Sequence, residues 1–534
     1  MTTTPRSSAR RSRLALPITL AFFAAALLTP LSINAQTAVD VLITSGRVVD
    51  GTGTAARTTD VGIRGDRIVF VGDAKTQRVT ATRTIDAKGL VVAPGFIDPH
   101  AHVSGELGRA GDSHVNGYLM QGVTTVLTGN DGQGPIDVGA ALKKWTTIGI
   151  GPNAGLYIGQ GTLRGRVVGA RAIPATPAQL DSMRALVRQA MRDGAIGMSA
   201  GLFYSPGSFA TTEEVIALAK ELKPFNGVYD THQRDESSYE IGLLASTREA
   251  MRIGKEAGIT LNISHIKALG VDVWGRSDSL IAMIRAARKA GDKVWADQYP
   301  YTASGTSVEA SLVPKWAEDG GNAALLARFK DDTLMVRMRK DMENNMRRRG
   351  GAESLLLTSG RDTSWRGKNL AQIATAMKTD PISAAIDVIK KGGASVASFN
   401  MKPSDIDALA AEPWVMTGSD GSDGHPRKFG TFPKKLREFV LDRHILTMEA
   451  MVHQSAALPA EVFGLIDRGV LKPGAYADVI VFDTATVKDN ATYVKPEVMA
   501  TGMRYVFVNG VAAVDDGKPT NVLKGRALHA HEKK

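Results

Sequence analysis

The segment Val91-Val92-Ala93-Pro94-Gly95-Phe96-Ile97-Asp98-Pro99-His100-Ala101-His102 decides how the chain is read. An apolar run ends abruptly in two histidines one residue apart. In extended backbone, residues i and i+2 point to the same side, so His100 and His102 can project together from one strand end. Neutral imidazole is a good ligand for zinc and similar divalent ions. The alternative is two ordinary polar residues where a strand meets its loop. The rest of the sequence has to decide between these.

Downstream, strand-like runs alternate with helical stretches. The runs are GVTTVLTG (122–129), GPNAGLYIG (151–159), GAIGMSAG (194–201), GVYDTHQR (227–234), GITLNISHI (258–266), KVWADQYPY (293–301) and PWVMTGSD (413–420). Residues 176–194 and 279–291 read as helices between them. Such alternation implies a parallel sheet. With the strand ending at Asp98 there are eight runs, the number for a (β/α)8, TIM-like barrel. Polar residues gather at their C-terminal ends, where such barrels carry their sites.

The two chain ends read differently. Residues 38–90, 469–483 and 503–518 are short strands separated by turn pairs such as Asp50-Gly51 and Gly72-Asp73. They predict one small β-sandwich domain built from 36–92 and 465–534, with the barrel, 93–464, inserted into it. A charged helical stretch at about 310–360 breaks the barrel rhythm as an insertion. Its arginine run reads as a solvated helix face, with a lid over the site as the other reading.

The chain has 534 residues, enough for one large and one smaller domain. Arg6, Arg10, Arg11 and Arg13 precede an apolar run from Leu14 to about Leu31, followed by Ala35. This reads as a secretory leader over 1–35, cleaved near Ala35–Gln36, and so as an exported, periplasmic or secreted protein. The run is short for a membrane span. Part of the formal charge of +11 lies in this leader, and no basic cluster points to nucleic acid. There are no cysteines, which excludes disulfides and thiolate metal ligands.

Three further residues join the first pair. His232 ends VYDTH, His265 ends LNISH and Asp420 ends WVMTGSD, all at the same rim of the inferred barrel. Four of the ten histidines take these rim positions. An aspartate beside a metal can take a proton from water that the cation has acidified.

The segments GFIDPHAH, GVTTVLTGN, GLFYSPG, THQRDES, SHIKALG, GSDG followed by HPRKFGTF, and FGLIDRGVLKPGAYADVIVFD resemble the amidohydrolase superfamily. More closely they resemble its D-aminoacylase (N-acyl-D-amino-acid deacylase) branch, through FYSPG, THQRDES and the HPR–GTF segment. The resemblance implies metal ligation by His100, His102, His232, His265 and Asp420, with Asp420 as proton shuttle. It implies that Tyr204, Lys267 and Arg427 contact the substrate α-carboxylate, a role that suits a cationic clamp. One departure stands out. Where the branch carries a cysteine ligand in GNCG, this chain has Gly129-Asn130-Asp131-Gly132, so Asp131 is either an anionic ligand or only a turn cap.

The implied chemistry is hydrolysis of the amide bond of an N-acyl amino acid or dipeptide, with one or two divalent ions, zinc first. D-selectivity enters only through the resemblance. A cyclic amidase of the dihydroorotase or hydantoinase kind shares the scaffold. An exported, non-catalytic binding protein on the same scaffold is the reading from another class.

Overall fold

The computed structural model describes residues 37–529; the sequence-read leader lies outside them. Each of the eight runs contains one strand: β1 (Phe96–Ala101), β2 (Val123–Thr128), β3 (Asn153–Gly159), β4 (Gly197–Gly201), β5 (Val228–His232), β6 (Thr260–Ile263), β7 (Val294–Gln298) and β8 (Val415–Thr417). They pair in parallel in chain order. Backbone bonds at the ends of β1 and β8 close the ring: Asp420 N donates to His100 O (2.8 Å) and His102 N to Gly421 O (3.1 Å). A strand of such a barrel is covered on both faces, and β2, Val-Thr-Thr-Val-Leu-Thr, is buried throughout.

The outer helices carry their own start signals. Helix Pro177–Arg192 opens with a reciprocal capping box between Thr176 and Gln179 and a proline in its first turn. Its residues Met183, Val187, Ala190 and Met191 recur at helical spacing and are buried in the main core.

Both chain ends meet in one nine-stranded mixed sheet. Val91–Pro94 lies within it, antiparallel to Val479–Phe482 and parallel to Ala38–Val48. The chain then passes straight into β1 at Gly95. A Cβ there would stand 2.1 Å from Thr124 Oγ1, so only glycine lets the crossing lie this close to β2. The C-terminal tail returns to the barrel, where Ala154 N donates to Arg526 O (2.9 Å).

The inserted unit is larger than the sequence suggests. Between β7 and β8 it builds a three-stranded antiparallel sheet from Ala303–Ser307, Leu355–Leu357 and Ser395–Phe399. It also has a separate apolar core, including Leu312, Met338, Met342, Leu370 and Val388. The solvated-face reading of the arginine run holds at Arg347, which is exposed and pairs with Asp272 (2.7 Å). It fails at Arg349, which is buried.

A buried polar cluster joins the terminal sheet to the barrel. Asp478 pairs with Arg468, accepts from Asn509 N (2.8 Å) and accepts from Asn153 Nδ2 (3.2 Å) at the start of β3. Asp478→Ala would leave the Arg468 cation buried without its counter-charge. Loss of one member of such a pair costs about 3–5 kcal/mol. Denaturant unfolding of Asp478→Ala should show a loss of that order; a loss below about 1 kcal/mol would mean the cluster is not a structural tie.

Candidate active site

The site is built where the barrel closes. Asp98, buried in β1, accepts at Oδ1 from His100 N (3.1 Å) and from Ser419 N (3.0 Å). That fork holds the ends of β1 and β8 together and sets His100 opposite Asp420. Burial pushes the Asp98 carboxyl up to about 7, against the hydrogen bonds from Ser419 and His100.

Asp131 arrives from the turn after β2. Gly129, Asp131 and Gly132 all have positive φ, and a Cβ on Gly132 would lie 2.8 Å from Gly201 N. The turn therefore needs glycine at that point and swings Asp131 inward. Among the described residues no backbone N–H bonds its carboxylate, so it does not serve as a turn cap. Its oxygens instead face imidazoles: His100 Nε2 at 3.6 Å, His102 Nε2 at 3.5 Å and His265 Nε2 at 3.5 Å. Asp131, His265 and Asp420 all hold left-handed backbone, with φ of 56°, 37° and 48°. Such conformations are uncommon outside glycine and gather at functional sites.

Asp420 completes the ring of donors. Its Oδ1 lies 3.1 Å from His102 Nε2 and 3.6 Å from His100 Nε2. His232 Nδ1 lies 2.9 Å from His265 Nε2. One atom each from His100, Asp131, His265 and Asp420 falls within a 4.8 Å cluster, and His232, Glu236 and His265 form a second. His100 Nε2 and Oδ1 of Asp131, which face each other, are buried and among the described residues have no hydrogen-bond partner. Buried polar atoms left unpaired in this way are costly, and one divalent cation between them would satisfy both. Buried Asp131, Glu236 and Asp420 set carboxylates beside the cations Lys267 and Arg427.

The imidazoles and carboxylates tune each other. Burial opposes charge on Asp131, yet His100, His102 and His265 hold its carboxyl well below the usual range. Burial and Lys267 oppose a proton on His265, but Glu236, Asp420 and Asp131 carry it up to about 10. Beneath them Asp297 Oδ1 accepts from His265 N (2.9 Å). Asn262 bridges Asp297 and Asp230 with bonds of 2.7 Å each, so the layer under the imidazoles is fixed.

Tyr204, Lys267 and Arg427 line the same cavity, of about 430 Å³. Arg427 Nη1 lies 2.8 Å from Asp420 Oδ2, and its guanidinium stacks 4.7 Å from the Tyr299 ring. Lys267 Nζ donates to Glu236 Oε1 (2.7 Å) and contacts His265 Nδ1 (2.8 Å). Tyr204 OH meets Thr306 Oγ1 of the insert at 3.3 Å. His425 accepts at Nδ1 from Arg427 N (3.1 Å), so its Nε2–H donates to Ala303 O (3.1 Å) and pins the Asp420–Arg427 loop.

Sequence reasoning missed Glu236, Tyr299 and Arg349. Glu236 follows His232 by four residues inside THQRDES, and Tyr299 lies two residues past the inward Asp297, so strand alternation pointed to it. Nothing local marks Arg349.

The amidohydrolase family model matches residues 83–514. A D-aminoacylase of Alcaligenes xylosoxydans xylosoxydans is 34% identical over 92% of this chain and 97% of its own length. A solved D-aminoacylase with a binuclear metal centre has a TM-score of 0.79 at 32% identity, covering 92% of this chain and 100% of that one. The N-acyl-D-glutamate deacylase of Bordetella bronchiseptica, solved with zinc and a phosphonate mimic of the tetrahedral intermediate, has a TM-score of 0.78 at 30% identity, with the same coverage.

Asp131 is the carboxylate shared by three imidazoles. Asp131→Ala should weaken Zn²⁺ binding to the chelator-treated protein by at least about tenfold in calorimetric titration. Unchanged affinity would remove Asp131 from the donor set.

Proposed function

Since the chain belongs to the amidohydrolase family, we propose that this site hydrolyses the amide bond of N-acyl amino acids, with N-acyl-D-amino acids or dipeptides ending in a D-residue as substrates. The observation that carries the reading is one arrangement: a ring of imidazole and carboxylate donors stands directly beside a guanidinium and an ammonium in one cavity. The relatives' activities support the linear amide and the D-configuration.

We assign His100, His102, Asp131, His232, His265 and Asp420 as the residues that hold one or two divalent ions, zinc as in the similar deacylase. When bound, such an ion supplies Lewis acidity, lowering the pKa of a water and polarising the scissile carbonyl. The chain's own residues do the rest. Arg427 and Lys267 hold the α-carboxylate, and Tyr204 contributes a hydroxyl from the same cavity. The Tyr299 hydroxyl is buried without a partner and adds a donor beside Arg427.

Asp420 is oriented for proton transfer. Arg427 holds its Oδ2, which leaves Oδ1 facing the imidazoles. Burial opposes its ionisation, but Arg427 and His265 keep its carboxyl well below the usual range, so it is a base at neutral pH. It takes the proton of the attacking water as the new C–O bond forms. It returns that proton to the nitrogen as the C–N bond breaks, releasing a carboxylic acid and a free amine.

Export belongs to the same proposal. The basic, apolar and small-residue segments of 1–35 support a cleaved leader and a periplasmic or secreted enzyme.

Asp420→Asn should lower kcat per bound metal ion by about 10²–10⁴-fold, with circular dichroism unchanged. Full turnover in that variant contradicts the shuttle. A screen of N-acetyl-D-amino acids, their L-enantiomers and a cyclic ureide should give turnover of the linear D-substrates. Preference for the ureide would favour the cyclic amidase instead.

A further inference from the structure

The insert places one more cation in the cavity wall, and among the described residues no carboxylate pairs with it. Arg349 follows helix Asp332–Arg348 and precedes Gly350 and Gly351, both with positive φ. Its side chain is buried and lines the cavity together with Phe203, Tyr239 and Leu269. Nε donates to Tyr239 OH at 2.6 Å. Among the described residues, Nη1 is buried without a hydrogen-bond partner and no carboxylate lies in salt-bridge range of this guanidinium.

Its neighbours differ. Arg347 pairs with Asp272 (2.7 Å), Lys315 with Glu318 (3.1 Å), Lys267 with Glu236 (2.7 Å) and Arg427 with Asp420 (2.8 Å). The carboxylate of Asp235 is occupied by the amides of Ser237 (2.8 Å), Glu240 (2.7 Å) and Gly242 (2.9 Å). Arg349 is thus a desolvated guanidinium with a free donor, facing the space a substrate enters. A buried arginine without an acid is unfavourable, and a ligand carboxylate relieves it with charge-assisted bonds.

Position decides which part of a substrate would reach it. The Tyr239 ring packs 5.4 Å from Phe203, and Phe203 packs 5.6 Å from His232. Arg349 therefore sits beyond those two rings from the imidazoles, whereas Arg427 sits directly on Asp420. An amide at the donor ring with its α-carboxylate on Arg427 and Lys267 leaves its remaining arm for this wall.

We propose that Arg349 is a specificity-determining residue that anchors a second carboxylate of the substrate, carried either by an acidic amino-acid side chain or by the far end of a dicarboxylic acyl group. This rests on the reading of the site as an N-acyl amino-acid hydrolase. The preferred substrates are then dianions, and the insert, rather than the barrel, sets that preference.

The test compares kcat/KM for N-acetyl-D-glutamate, N-succinyl-D-leucine and N-acetyl-D-leucine in the native protein and in Arg349→Met and Arg349→Lys. One of the two dianions should be the best substrate of the native enzyme, and which one identifies the carboxylate's source. Arg349→Met should lower kcat/KM for that dianion by about 100-fold, chiefly through KM, and leave N-acetyl-D-leucine within about threefold. Arg349→Lys should recover part of the loss. Equal losses on all three substrates, or no preference for either dianion, would overturn the proposal. Should none of the three be hydrolysed, the hydrolase reading falls. Glutarate binding, followed by thermal shift in the native protein and Arg349→Met, then decides the anchor alone: loss of the shift in the variant supports it and an equal shift removes it.

Discussion

The closure of the barrel between its first and last strands is the constraint on which the site depends. One buried carboxylate, Asp98, accepts from the amides of His100 and Ser419, and the next amide, that of Asp420, donates to His100 O. Those bonds bring residues more than 300 positions apart into one ring of donors. They also fix which way Asp420 points, because its outer oxygen is taken by Arg427. Asp420, the imidazoles and Arg427 share a single geometric origin.

Around that closure the protein concentrates unfavourable local choices. Asp131, His265 and Asp420 all hold left-handed backbone, and buried carboxylates and imidazoles are crowded around them. Each departure costs free energy in isolation. Together they gather at one point the donor atoms that a divalent cation would use. The terminal sheet and the outer helices, with regular caps and apolar faces, provide the stability that tolerates this.

Much of this is visible in the sequence, for physical reasons that also explain what is not. Parallel strands buried on both faces appear as uninterrupted apolar runs between glycines, so all eight barrel strands could be read. Histidines at the ends of such runs are visible because strand alternation sets their direction, as with His100 and His102. The inward turn of Asp131 depends on consecutive left-handed residues and on a backbone approach at Gly132, which local pattern does not encode. The insert's strands, ASGTS, LLL and SVASF, are short and mostly small, and too weak a signal to bound the unit. Arg349 sits in an arginine run that looks solvated, and only the packing of the insert buries it.

The central claim is that the donor ring works by holding a divalent ion beside Asp420 and the carboxylate clamp. The most direct measurement strips the protein with a chelator, returns Zn²⁺ stepwise, and follows bound metal and hydrolysis of an N-acetyl-D-amino acid on the same samples. The account predicts no turnover in the stripped protein and activity that rises in proportion to the first bound ion. Full hydrolysis by metal-free protein would contradict it.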